Sequence, residues 1–243
     1  MAEIKLGVCK RCNGEVEIIN EEYTCKHCGF VVQNEELRKA SERYYREVKK
    51  ILEHGIELFD ERLYEEAVTY FEMIFEDSAE AKFQLGKCYR SGFGVKQDKE
   101  KSEALCIKAA EEGSLSAMRF IAFLYERGID WKKNYAKAVY WQEEIYKIEK
   151  NERSCVVMGR LYRQGGFGLE KNYAKSVEWS IRGLEIEKVC ELFFCIGECH
   201  YEGGYGIEKN LKIAKKCYRA AVKIGGMYAI IAERRLRELG CTD

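Results

Sequence analysis

The sequence predicts a mostly α-helical chain, a solenoid of antiparallel helix pairs with a small β-hairpin module ahead of it. Three observations predict it. One pattern returns four times between Ala79 and Gly226, proline is absent from all 243 residues, and glycines cluster where helices must turn. Leu85-Gly86, Ile121-Ala122, Met158-Gly159 and Ile196-Gly197 align at spacings of 36, 37 and 38 residues. Three positions after each small residue stand Tyr89, Tyr125, Tyr162 and His200, and three further on Gly92, Gly128, Gly165 and Gly203. Asp98, Asn134, Asn172 and Asn210 follow, each with a small residue four positions later: Ser102, Ala138, Ser176 and Ala214. A fixed period of this length marks a stack of helical hairpins, in which each unit buries its apolar face against its neighbours. Average usage of about 5% would place about a dozen prolines in the chain, so their absence suits uninterrupted helices with glycine turns.

Taken in order, the chain opens on two cysteine pairs, Cys9-Lys-Arg-Cys12 and Cys25-Lys-His-Cys28, 12 residues apart. Four thiolates in two such knuckles form the ligand set of a structural tetrahedral zinc site, here Cys9, Cys12, Cys25 and Cys28. Asn13 and Gly29 follow the pairs, and both types tolerate the left-handed backbone that turns a knuckle. Glu15–Ile19 and Tyr23-Thr24 read as a short hairpin turning at Asn20-Glu21-Glu22. About 30 residues hold too little core to fold alone, so metal supplies the missing stability. The segment resembles a zinc ribbon of the rubredoxin-like kind, and iron is the alternative occupant of the same thiolates. Redox and disulfide readings lack the βαβ setting or the oxidising compartment they need. A catalytic zinc would need an open position that four thiolates do not leave. From Met1 to Glu36 the net charge is −3, which repels phosphate and argues against nucleic acid.

Asn34 is placed to cap a long amphipathic leading helix, Glu35 to Asp60, with Leu37, Tyr44, Tyr45, Val48, Ile51 and Leu52 along it. From Val48 to Ser78 the chain resembles a tetratricopeptide repeat, with Gly55, Leu58, Tyr64, Ala67, Phe71 and Ile74 at that family's spacing. In the third of the four later repeats, Ser154 to Arg163 forms a first helix with Cys155, Met158, Leu161 and Tyr162 at helical spacing. Gly159 lets the partner helix approach, and Gln164–Gly168 turns the chain. Asn172 caps a second helix carrying Ala174, Val177, Trp179, Ile181 and Leu184. The pattern L-G-x-x-Y-x-x-G-x-G, a loop, Asn or Asp, then A-x-x-W resembles the Sel-one-like repeat family, relatives of the tetratricopeptide repeats. The second repeat departs from it at Glu126–Asp130, without the second glycine of the turn. Met227–Leu239 reads as a capping helix closed by Gly240, with Arg234, Arg235 and Arg237 facing water or the helix C-terminal dipole. The expected division is a zinc ribbon over 1–33 and a helical-repeat domain over 34–243. Within the latter lie the leading helix and tetratricopeptide-like repeat (34–78), repeats at 79–113, 114–150, 151–188 and 189–226, and the cap at 227–243.

Of the other eight cysteines, Cys88, Cys199 and Cys217 occupy repeat positions held elsewhere by leucine or tryptophan, which assigns them to the core as small hydrophobes. The family resemblance brings Cys88–Cys106 and Cys199–Cys217 bridges into view for exported members, and the absence of a secretory apolar region weighs against them here. Cys190, Cys195, Cys199 and His200 on one helix raise a second metal site, against which core packing is favoured. The three histidines make no dyad, the G-x-G turns follow no strand, and the carboxylates lie in solvated stripes. Catalysis therefore finds no constellation.

With 41 basic and 41 acidic residues the chain has no global field toward nucleic acid or an anionic membrane. No apolar run reaches the roughly 18–20 residues of a membrane helix, and a cytoplasmic setting is expected. What remains is protein binding. The resemblance implies a concave surface lined by the first helices, and on it the sequence places Phe83, Lys87, Arg90, Arg119, Phe123, Arg160, Arg163, Phe193 and Tyr201. Arginine and aromatic side chains on a rigid wall are the usual binding hot spots. They suit a protein or peptide partner with acidic residues and an apolar anchor. Two alternatives stand beside that adaptor: a structural or regulatory subunit with no peptide groove, or an inert stripe with Glu126 laddered between Arg90 and Arg163.

Overall fold

The structure is a computed structural model that describes residues 16–19, 22–25 and 35–241, with side chains from residue 38 onward. Cys9, Cys12, Cys28 and Asn34 lie outside the described residues, as do the side chain of Cys25 and the expected boundary at 33/34. Two short strands, β1 (Val16–Ile19) and β2 (Glu22–Cys25), pair antiparallel with Val16 opposite Cys25 and Ile19 opposite Glu22. The rest is helix: α1 (Glu35–Asp60), α2 (Tyr64–Met73), α3 (Ala79–Ser91), α4 (Lys99–Glu111), α5 (Leu115–Arg127) and α6 (Tyr135–Ile148). There follow α7 (Glu152–Gln164), α8 (Tyr173–Ile186), α9 (Cys190–Glu202), α10 (Leu211–Ile224) and α11 (Met227–Glu238). The chain is a mostly helical solenoid whose backbone falls into two compact units, residues 1–102 and 103–243.

In the first unit, α1 packs on α2 and α2 on α3. Ala67 and Phe71 are fully buried, and Leu58 and Ile74 nearly so. The turn after α3 folds back on α2, stacking Phe93 on Tyr64 with ring centroids 4.4 Å apart.

In the second unit, α5–α6, α7–α8 and α9–α10 form three hairpins, and α11 packs on both α9 and α10. The aligned small positions are where helices cross closely. A Cβ at Gly197 would lie 2.6 Å from Cε1 of fully buried Tyr218, and one at Gly159 would lie 2.8 Å from Ser180 Oγ. Contacts of α7 with α9 and of α9 with α11 make the first helices an inner layer.

The predicted caps close the second helices. Asn134 Oδ1 accepts from Lys137 N at 2.9 Å, Asn172 Oδ1 from Lys175 N at 2.8 Å and Asn210 Oδ1 from Ile213 N at 3.0 Å. The same three residues donate their own N–H groups back to Tyr125, Tyr162 and His200 carbonyls, closing each hairpin.

Successive repeats are clasped together as well. Tyr135 N donates to the Phe167 carbonyl and Tyr173 N to the Tyr205 carbonyl, each at 2.9 Å, so a turn of one repeat satisfies an orphan N–H of the repeat before it. The rings meet too, Tyr135 on Phe167 at 5.0 Å and Tyr173 on Tyr205 at 5.1 Å. The second repeat replaces the missing glycine of its turn with Asp130, which adopts a left-handed φ of 64° that aspartate tolerates better than most residues. Trp131 beyond it is buried against Tyr125.

Candidate functional site

The inner layer of the second unit is a chain of charges that largely satisfy one another. Glu126 of α5 is buried and accepts from Arg160 Nη2 of α7 at 3.0 Å, while Arg127 Nε stands 3.7 Å away. Arg160 Nε then reaches Glu191 of α9 at 3.7 Å. Beyond it, buried Glu198 takes a bidentate pair from Arg235 of α11, at 2.9 Å to Oε1 and 3.0 Å to Oε2. Tyr218 completes that site by donating its hydroxyl to Glu198 Oε1 at 2.7 Å. Burial, and then the Glu198 carboxylate, push the Tyr218 hydroxyl well above its ordinary pKa, so it stays a donor.

This arrangement corrects several expectations. Glu126 is bridged by Arg160 rather than by Arg163, because the repeat stagger brings Arg160 across from it. Arg160 is thus committed to two carboxylates of its own chain instead of presenting a free charge. Arg163 is half-buried, its Nε enclosed without a hydrogen-bond partner among the described residues. Burial opposes its charge, and nearby Cys195 and Glu198 more than offset that, so its pKa lies above the ordinary value.

Phe193 and Tyr201 pack on the cluster formed by α9, α10 and α11, and the Arg235 guanidinium sits 4.9 Å from the Tyr201 ring centroid. The capping helix occupies the place where a further repeat would begin. Arg235 was expected to face water or a helix end; it turns inward because Glu198 needs its charge. Cys217, expected in the core, is half-buried beside the cluster of Tyr173, Val177, Ile196 and Cys199.

At the N-terminal end of the same unit the layer opens into a groove of about 470 Å³. Arg119 and Phe123 of α5 form one wall, Gln142, Ile145 and Glu149 of the α6 end another, and Arg153 and Val157 of α7 the third. Phe123 is 47% exposed, and the Arg127 guanidinium lies 5.8 Å from its ring centroid. Arg119 pairs with Glu149, both side chains about half in solvent. Sequence periodicity located Arg119 and Phe123, which lie on the first-helix stripe. It missed Gln142, Ile145, Glu149, Arg153 and Val157, which lie off that stripe. The signal available was the glycine-free junction Glu149-Lys150-Asn151, where Asn151 caps α7 through Ser154 N at 2.8 Å.

In the first unit, Phe83 is buried, and Lys87 donates to Gln84 Oε1 at 2.9 Å with its ammonium 5.0 Å from the Phe59 ring centroid. Arg90 is half-buried, and its carbonyl accepts from Gln97 Nε2 at 2.8 Å. Lys87 is therefore held over aromatic rings. Among the described residues no cluster of three or more histidine, cysteine or carboxylate side chains is arranged to hold a metal ion, and no helix is long and apolar enough to cross a membrane.

A family model described as Sel1 repeat matches residues 79–114, 115–143, 153–185 and 196–225, together more than half of the chain. A solved Sel1 repeat protein from Oxalobacter formigenes is similar at 28% identity, covering 72% of this chain and 71% of that one with a TM-score of 0.53. A protective antigen of uropathogenic Escherichia coli strains, described as displaying an SLR fold, shares the fold at 24% identity and a TM-score of 0.57, over 82% of this chain and 42% of that one. Chitin synthase regulatory factor 3 of Schizosaccharomyces pombe is 32% identical over 87 residues. That match takes in 35% of this chain and spans only 9% of the yeast protein's length.

The charge chain makes an unequal prediction for two arginine–glutamate pairs. Glu198→Gln leaves the Arg235 side chain, only 26% exposed, with the more exposed Glu238 as its one remaining carboxylate and should cost about 2–4 kcal/mol in urea unfolding. Arg119→Gln removes one side of an exposed pair and should cost less than about 1 kcal/mol. Equal losses would show that the Glu198 site is not buried as described.

Proposed function

Since the chain belongs to the Sel1 repeat family, we propose that it is a protein-interaction scaffold whose second unit seats a partner segment in the groove over Arg119 and Phe123. The observation that carries this reading is that Phe123 keeps a half-exposed ring in the groove, whereas Arg160 and Arg235 farther along the face are taken up by Glu126, Glu191 and Glu198. An extended segment with an apolar anchor for Phe123, Ile145 and Val157 fits that wall, with one acidic residue for Arg153 and another that takes Arg119 from its exposed pair with Glu149. Arg160, Arg163, Phe193 and Tyr201 then support the wall rather than meet the partner. The proposal assigns the chain no catalysis and sets it in the reducing cytoplasm, where thiols such as the free, buried Cys88 and Cys199 persist.

A second reading, a regulatory subunit that docks a folded partner, draws support from the paired inner face and from the likeness to a protein described as a chitin synthase regulatory factor. It predicts binding that ignores linear peptides.

Displayed libraries of extended peptides should yield binders with acidic residues flanking one large apolar residue. Phe123→Asp should weaken those binders at least about tenfold without altering thermal unfolding by more than a surface change does. Undiminished peptide binding by the folded variant would remove the groove from the function.

The proposal also places one structural zinc ion on Cys9, Cys12, Cys25 and Cys28, supported by the spacing of the two knuckles. Elemental analysis of protein purified without chelator should find one zinc per chain. Chelation should leave the helical circular dichroism nearly intact, because the repeats bury their own core. Protein without zinc or iron would end this assignment.

A further inference from the structure

At the other end of α6 from the Phe123 groove, the junction between the second and third repeats holds a cavity of about 430 Å³. That volume is in the usual range for small-ligand sites. Lys132, Lys133 and Lys137 line it, together with Glu103, Tyr125 and Phe167.

Aromatic rings hold two of the three ammoniums. Lys133 Nζ lies 4.6 Å from the Phe167 ring centroid and 5.3 Å from that of Tyr135. Lys137 Nζ lies 4.7 Å from the Tyr125 ring centroid and donates to its hydroxyl at 3.1 Å. Tyr125 donates that hydroxyl to Glu103 at 2.6 Å. Burial, and then Glu103, push the Tyr125 hydroxyl well above its ordinary pKa, so the phenol stays neutral and cancels no lysine. Among the described residues none of the three lysines makes an ion pair, and Glu103 is the one carboxylate of the lining. Two positive charges are left in excess.

The next junction uses the same framework and cancels its own charge. Lys171 and Tyr205 take the places of Lys133 and Phe167 there, with Lys171 Nζ 4.8 Å from the Tyr205 ring centroid. Lys171 also reaches Glu202 at 3.9 Å, and Tyr173 donates its hydroxyl to the same carboxylate. Glu202 precedes Gly203 as Gln164 precedes Gly165, and Glu170 stands where Lys132 stands. The earlier junction therefore lacks two carboxylates that the later one has, and carries one further ammonium. Both differences act in the same direction on one cavity.

We propose that this cavity binds a phosphoryl group, the phosphate monoester of a small molecule or of a phosphorylated side chain. Such a group carries a charge of about −1.5 to −2 at neutral pH, which the two uncompensated positive charges match. The residue types favour it over a carboxylate. A planar carboxylate is best met by the guanidinium fork, whereas compact ammoniums each turn a donor toward a different oxygen of a tetrahedral group. No arginine lines this cavity, while Arg119 and Arg153 line the Phe123 groove. Phe167, 55% exposed, offers an apolar face to whatever carries the phosphate. The two sites lie at opposite ends of α6, and neither needs the other to be filled.

The test is nuclear magnetic resonance titration of the isotope-labelled full chain at fixed ionic strength, which holds general charge screening constant. The probes are inorganic phosphate, a phosphothreonine peptide without large apolar residues, and the same peptide unphosphorylated. Phosphate and the phosphopeptide should shift the amides of Lys132, Lys133, Lys137 and Phe167 saturably, and the unphosphorylated peptide should not. A phosphopeptide that binds at least about tenfold tighter than inorganic phosphate identifies a side chain of a partner as the source. Equal or weaker peptide binding identifies a free phosphate compound. The double variant Lys132→Glu and Gln164→Glu gives this junction the acids of the next one. Both positions are exposed, so helical circular dichroism should be unchanged while binding weakens at least about tenfold. No saturable shift with either phosphorylated probe, shifts as large at Lys171 and Lys175, or undiminished binding by the folded double variant would overturn the proposal. Should that variant fail to fold, the shift map of the unaltered chain decides the matter.

Discussion

One backbone hydrogen bond, made at two successive repeat junctions of the second unit, sets how those repeats stack: the carbonyl of a left-handed turn residue accepting from the first N–H of the preceding second helix. Phe167 serves Tyr135 and Tyr205 serves Tyr173, and both acceptors hold φ near 50° although neither is glycine. That conformation costs on the order of 1–2 kcal/mol for an L-residue. The chain tolerates it because the bond satisfies a helix-end donor and the aromatic ring lands on the tyrosine it serves. Spacing between repeats is therefore set by a short covalent turn as well as by side-chain packing. Within each hairpin the crossings at Gly159 and Gly197 close to contact distance, and with the spacing between hairpins fixed the first helices come within ion-pair reach.

The inner face follows from that spacing. Side chains more than 30 positions apart in sequence, Glu126 with Arg160 and Glu198 with Arg235, meet at hydrogen-bond distance. A stripe that carries excess positive charge in sequence becomes mostly neutral in space. The proposed recognition site lies at the end around the half-exposed Phe123, while the opposite end is closed by α11 packing on Phe193 and Tyr201.

Local features were legible in the sequence. The period, the caps at Asn134, Asn172 and Asn210, the span of α1 and the start of α11 depend on neighbours within a turn or two, and each appears where the residues place it. The departure at Asp130 was legible as a departure, and its left-handed backbone supplies the explanation. Partners across repeats were not legible. Periodicity assigns Arg160, Arg163 and Tyr201 to a face, but says nothing of what the next repeat brings opposite them. The outward assignment of Arg235 failed for the same reason, since its counter-charge Glu198 lies 37 positions earlier. Glu198 itself was the clue: it occupies a slot filled by Lys87, Phe123 and Arg160 in other repeats, and a carboxylate there demands a cation from outside the pattern.

The central claim is that the paired inner face is inert and that recognition belongs to the Phe123 groove. It is tested most directly by nuclear magnetic resonance titration of the isotope-labelled full chain with a synthetic acidic peptide carrying one leucine. Shift changes centred on Arg119, Phe123, Arg153 and Val157, with Glu198 and Tyr218 unmoved, are what the account predicts. Changes centred on Arg160, Arg163 and Tyr201 would contradict it, because the face described as inert would then be the one that meets the peptide.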